Sequence, residues 1–217
     1  MSENIKLSFI KTERLTEEAV LRHSSSDALI VLAKNYSEIS VKDELCGKSE
    51  KLLELGGLTK KAQCPVFVGF TTDSFRLLKK SVAVFFRGKL VKLADNVRGD
   101  KSFAPSFGYK TVSAGGCKFG IAVGKDVCDH ACLFTLSSTE NDVIINLSAD
   151  FYDFSTENLV SSLSYIYGVT IVSVNADKTV AAASGKIILS TADAERDFYV
   201  PLSKTYKEIL VKQRGLY

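Results

Sequence analysis

The sequence predicts a mixed α/β fold, and three observations carry that expectation. Apolar runs of strand length recur along the chain, as in Ala28–Ala33 and Val169–Asn175. Stretches with helical spacing and capping residues fall between them. Hydrophobic residues make up 46% of the 217 positions and charged residues 24%, the balance of an ordinary globular chain long enough to bury a large core. One domain spanning residues 1–217 is the simplest division, because no repeat, low-complexity segment or linker interrupts it.

In chain order, Ile5–Ile10 alternates apolar and polar residues and predicts an opening strand with one buried face. Thr16 is placed to cap a short helix whose first turn carries Glu17 and Glu18. Ala28–Ala33 is continuously apolar, the pattern of a strand covered on both faces. Asp43–Leu58 predicts one helix closed by Gly56-Gly57. Cys64–Phe70 predicts a strand, and Lys80–Phe86 with Leu90–Ala94 a hairpin turning at Arg87-Gly88-Lys89. Val97–Tyr109 reads as a long polar loop. Leu159, Val160, Leu163, Ile166 and Tyr167 predict one apolar face of a helix that Ser155 or Thr156 could cap and Gly168 ends. Three strands around Val169–Asn175, Lys186–Leu189 and Phe198–Val200 and a terminal helix complete the reading.

The chain centres on Gly120–Ala149, a strand–turn–helix–strand run. Gly120–Val123 is a short buried-strand pattern that stops at the polar turn Gly124-Lys125-Asp126, and Asp142–Ala149 is a β-branched strand ending in Asn146-Leu147-Ser148-Ala149. This run resembles the core of the nitrilase, or carbon–nitrogen hydrolase, superfamily, in which a strand delivers a cysteine into a Cys-x-Asp elbow and a later strand ends in Asn-x-Ser-Ala. Further similar motifs follow in the family's order: Asp27-x-Leu-Ile-Val, Pro65-Val-x-x-Gly69, the hairpin, Phe103-Ala-Pro105 and Val169–Asn175. The resemblance implies a four-layer α-β-β-α sandwich of two mixed sheets.

It also implies a mechanism whose parts are replaced. The family uses a cysteine nucleophile, a glutamate general base and a lysine that stabilises the oxyanion. The matching positions hold Gly124, Lys34 and Asn96. None of these can take the inherited part, so the resemblance implies a catalytically inactive homologue that binds, regulates or assembles. The alternative is an active amidase with relocated groups, Cys128, Glu38 and Lys92, each four residues from a lost one. Cys128 would then sit one turn into the helix after the elbow, about 5–6 Å along its axis, too far for a near-attack geometry.

Asp126 keeps the family's aspartate and is expected to hold the elbow through backbone hydrogen bonds, with Asn146 a second structural residue. Lys34, Asn96, Gly124 and Lys125 form the expected ligand site, for a small carboxylate or other anion. Cys128-Asp129-His130-Ala131-Cys132 with nearby Cys117 invites a metal- or redox-responsive thiol reading. Zinc sites bring a second distant pair, though, whereas His23, Cys46 and Cys64 are isolated, so no metal and no cofactor are expected. A net charge of +3 without a basic stripe argues against nucleic acid. No apolar run is long enough to span a membrane, and MSENIKLSFIK is not a secretory leader. Five unevenly spaced cysteines suggest free thiols in a cytoplasmic protein. A homodimer is expected through Cys128–Leu136 and Ser155–Tyr167, helped by Phe151, Tyr152 and Phe154.

Overall fold

The computed structural model describes residues 4–74, 76–99, 102–148 and 157–202. Its strands are β1 (Asn4–Thr12), β2 (Ala28–Ala33), β3 (Glu38–Ser40), β4 (Val66–Ser74), β5 (Leu77–Phe86), β6 (Lys89–Asp95), β7 (Lys110–Ala114), β8 (Cys117–Val123), β9 (Val143–Leu147), β10 (Thr170–Val174), β11 (Thr179–Ala183), β12 (Lys186–Thr191) and β13 (Glu195–Pro201). The helices are α1 (Glu17–Arg22), α2 (Val41–Leu45), α3 (Lys51–Thr59), α4 (His130–Ser138) and α5 (Glu157–Tyr167). One sheet runs β13-β1-β2-β4-β5-β6 with β3 beside β4, and the other runs β12-β11-β10-β9-β8-β7.

Period-two alternation sorts the side chains into layers. On β2, Ala28, Ile30 and Leu32 enter the core between the sheets, while Leu29, Val31 and Ala33 face the layer of α1 and α3. On β9, Val143, Ile145 and Leu147 join the same inter-sheet core, and Ile144 faces α4 and α5. Three apolar interfaces therefore separate four layers, the α-β-β-α sandwich. Both sheets are mixed: β1, β2 and β4 run parallel, as do β8, β9 and β10, with antiparallel partners at the margins. Among the described residues no helix is long and apolar enough to cross a membrane.

Several local expectations need correction. The helix read over 43–58 is two helices, broken around Gly47, whose φ of +67° suits glycine. Gly56 and Gly57 lie inside α3 and do not end it. A Cβ on Gly56 would stand 2.7 Å from the carbonyl oxygen of Gly88, so this glycine lets α3 press on the β5–β6 turn. That turn is shorter than read: Arg87 and Gly88 both take positive φ, the two-residue form that matches strand twist. Strand β7 lies in a segment the sequence left unassigned. Ile166, read as part of the apolar face of this helix, is 55% exposed on α5. Phe151, Tyr152, Phe154, the candidate caps Ser155 and Thr156, and the terminal helix lie outside the described residues.

Candidate functional site

The parallel strands of both sheets end on the same edge of the sandwich, and there β8 stops at Gly124. Its φ of +60° opens a 3-10 turn, Gly124–Cys128, which leads through Asp129 into α4. Thr16-type capping recurs here: the Asp129 carboxylate accepts the Ala131 N–H at 3.2 Å. A side chain at position 124 would enter occupied space. An ideal Cβ would lie 3.2 Å from Lys80 Cδ and 3.8 Å from both Lys80 Nζ and Ser148 Oγ.

Lys80 was not among the residues singled out from the sequence, yet it is the buried cation beside the elbow, 6% exposed. Its row explains why. Val82 and Val84 point into the inter-sheet core, and two residues earlier on β5 the same face carries Lys80. The ammonium stands 4.6 Å from the centroid of the Phe103 ring. Extending the alternation of Val82 and Val84 back by one step is the signal that would have found it.

Asn96 is fully committed. Its backbone N–H donates to Lys80 O at 2.9 Å, and its side-chain oxygen accepts the Lys80 N–H at 2.8 Å. The side-chain amide donates to Arg98 O at 2.7 Å and Ala104 O at 3.4 Å. This residue extends the β5–β6 pairing and folds the following loop, so its expected place in a ligand site is replaced by a packing role. Asp126, 1% exposed, accepts the N–H groups of Val97 and Arg98 at 2.8 and 2.9 Å. The carboxylate thereby ties the 97–98 segment to the elbow. Burial pushes its pKa up, and these backbone hydrogen bonds oppose the rise. Arg98 in turn forks onto Asp129 at 2.9 and 3.0 Å, joined by Tyr109 Oη at 3.0 Å.

The other expected participants lie elsewhere. Lys34 is 75% exposed and pairs with Glu13 at 2.5 Å, so it turns to solvent and the cation at the elbow is Lys80. Cys128 ends the 3-10 turn rather than entering a helix, is exposed, and has its thiol raised by partial desolvation that Lys125 only offsets. It therefore lacks the lowered pKa of an activated nucleophile. Glu38 opens β3 with its side chain exposed, and Lys92 lies about 13 Å down β6 from Asn96 at strand rise. The relocated trio is not brought together. Asn146 faces the helix layer, where its amide donates to Ser173 Oγ at 3.0 Å. His130 Nδ1 meets Tyr167 Oη at 2.6 Å, and Cys132 is buried with its thiol pushed up by burial. Among the described residues, no three His, Cys, Asp or Glu side chains converge to hold a metal ion.

Comparison with solved structures places this architecture. A cysteine-to-alanine variant of a Nesterenkonia AN1 amidase from the nitrilase superfamily superposes with a TM-score of 0.73 at 11% identity, covering 97% of each chain. Saccharomyces cerevisiae Nit3, a member of branch 10 of that superfamily, gives 0.74 at 15% identity over 100% of this chain and 96% of its own. Glutamine-dependent NAD+ synthetase from Acinetobacter baumannii gives 0.68 at 13%, matching 91% of this chain but 45% of the larger enzyme. No family model and no curated protein sequence matches the chain. The protein thus has the nitrilase-superfamily fold.

Proposed function

We propose that this nitrilase-fold protein is not a hydrolase and serves as a binding, regulatory or assembly component. The observation that carries the reading is the Lys80 side chain packed 3.2 Å from where a Cβ at position 124 would stand. An acyl-transfer elbow needs a nucleophile there and open space above it for the reacting carbon. Here the position has no side chain, and a lysine stem fills its flank. Asn96 spends its amide on the backbone, and Lys34 pairs with Glu13 outside. Cys128, the alternative nucleophile, has a raised thiol pKa and neither Glu38 nor Lys92 beside it.

The assembly part of the reading is a homodimer through the α4–α5 face. Phe134, Tyr165 and Ile166 are 59%, 52% and 55% exposed on these helices, which His130 and Tyr167 tie together. Clusters of large exposed apolar residues mark contact surfaces. Acyl trapping tests the central claim: intact-mass analysis after incubation with amide and ester donors should show no acyl adduct. A stable adduct mapped to Cys128 would overturn it.

A further inference from the structure

The inter-sheet space opens at the carboxyl ends of β1 and β2 and just past that of β10. The opening is a cavity of about 530 Å³, within the roughly 300–1,000 Å³ of ligand sites. Its origin is legible in the inward rows of side chains. On β1 the row is Ile5, Leu7, Phe9 and then Lys11; on β10 it is Val172 and Val174, with Ala176 just past the strand end; on β4 it is Phe67 and then Gly69. Large apolar residues fill the core, but where these rows reach the cavity they carry Lys11, Ala176 and Gly69. Ala192 and Ala194, from the connection into β13, complete the small-residue wall. A Cβ on Gly69 would lie 3.0 Å from side-chain carbons of both Leu32 and Leu147, so the missing side chain lets these leucines close over it, and Leu32 lines the cavity.

Lys11 is the polar feature of this cavity that core packing does not explain. It follows Phe9 on the inward row, with its ammonium 5.6 Å from that ring's centroid. Among the described residues its hydrogen-bond acceptor is the carbonyl oxygen of Asp177, at 3.3 Å, which leaves two of three N–H donors to spare. Partial desolvation lowers its pKa, with Asp177 and Asp193 opposing the shift. At the rim, Lys34 and Glu13 form an exposed, solvent-screened pair that is readily opened. Lys11, Lys34 and Glu13 together give the lining one net positive charge.

We propose that this cavity binds a small organic carboxylate, with the carboxylate on Lys11 and a short aliphatic body against Leu32, Ala176, Ala192 and Ala194. An inorganic anion would satisfy the lysine and leave the apolar wall wet. Binding here is separate from the chemistry at Gly124: turnover of an amide would overturn the non-hydrolytic reading and leave this site standing.

Isothermal titration of the whole chain with butanoate, butanamide, butylamine and inorganic phosphate tests the proposal. Butanoate should saturate a single site, and the other three should bind at least tenfold more weakly. Lys11→Met, which keeps the stem and removes the charge, should weaken butanoate at least tenfold. Ala192→Leu, at an exposed connection position where folding is undisturbed, should weaken it by filling the cavity. The proposal is overturned by the absence of saturable butanoate binding at millimolar concentration, by phosphate or butanamide binding as well as butanoate, or by butanoate binding unchanged in either variant.

Discussion

Replacing Gly124 with alanine isolates the contact on which the non-hydrolytic reading rests. Two costs add. The φ of +60° is left-handed backbone, which a Cβ makes unfavourable by roughly 1–2 kcal/mol. The new methyl also lies 3.2 Å from Lys80 Cδ, closer than comfortable packing, so the lysine stem must shift by a few tenths of an ångström. Overpacking of this kind costs about 1 kcal/mol at its mild end, giving a total of about 2–3 kcal/mol. For a chain of this size that is a fall in Tm of roughly 4–12 °C. Chemical denaturation of Gly124→Ala, Lys80→Ala and the double variant closes a cycle. With Lys80 shortened, the steric part disappears and only the backbone part of the alanine penalty remains. An alanine penalty near zero, or one of equal size with and without the Lys80 side chain, would refute the claim that Lys80 occupies the flank of the elbow.

Further outcomes follow from neighbouring contacts. Burial alone would raise the Asp197 carboxyl, but hydrogen bonds from Lys6, Ser8 and His23 bring it down to about 2. Since the unfolded value is about 3.9, its contribution to stability is complete above that pH and is lost as pH falls toward 2. Asp197→Asn should therefore flatten the stability profile across that window, and a profile parallel to the parent's would contradict the assignment. Asp126→Asn places an amide against one of two backbone donors, at a cost of about 1–3 kcal/mol. Hydrogen exchange should quicken at Val97 and Arg98; unchanged protection there would show that the loop does not hang on this carboxylate. Sedimentation equilibrium at micromolar concentration should give twice the 23.7 kDa chain mass, reduced by Phe134→Ser. A monomer mass throughout would remove the α4–α5 dimer.

The layers were legible because apolar strand runs are long, and because weak motifs kept one order over most of the chain. Ala28–Ala33 was read to the residue, since a run buried on both faces is bounded sharply by charge at each end. Helix 43–58 was misjudged because the glycine pair resembled a terminator, whereas Gly56 serves close packing against Gly88, a contact distant in sequence. At the site, substitution was legible and replacement was not. Gly124 and Asn96 could be noticed as departures from a pattern. Lys80 continues the alternation of Val82 and Val84, and Lys11 that of Leu7 and Phe9, but a lysine ending an alternating row reads as a solvated flank until the opposing sheet is in place. Whether such an ammonium faces solvent or the interior is decided by residues elsewhere in the chain, Gly69 on β4 and Ser148 and Ala176 just past the ends of β9 and β10.

Ammonia release by the purified protein, over a panel of short aliphatic amides, nitriles and carbamoyl compounds, tests the central claim most directly. The account predicts no release above buffer for the parent chain and no change with Cys128→Ala. Sustained release that Cys128→Ala abolishes would contradict it and make this a hydrolase with a relocated nucleophile.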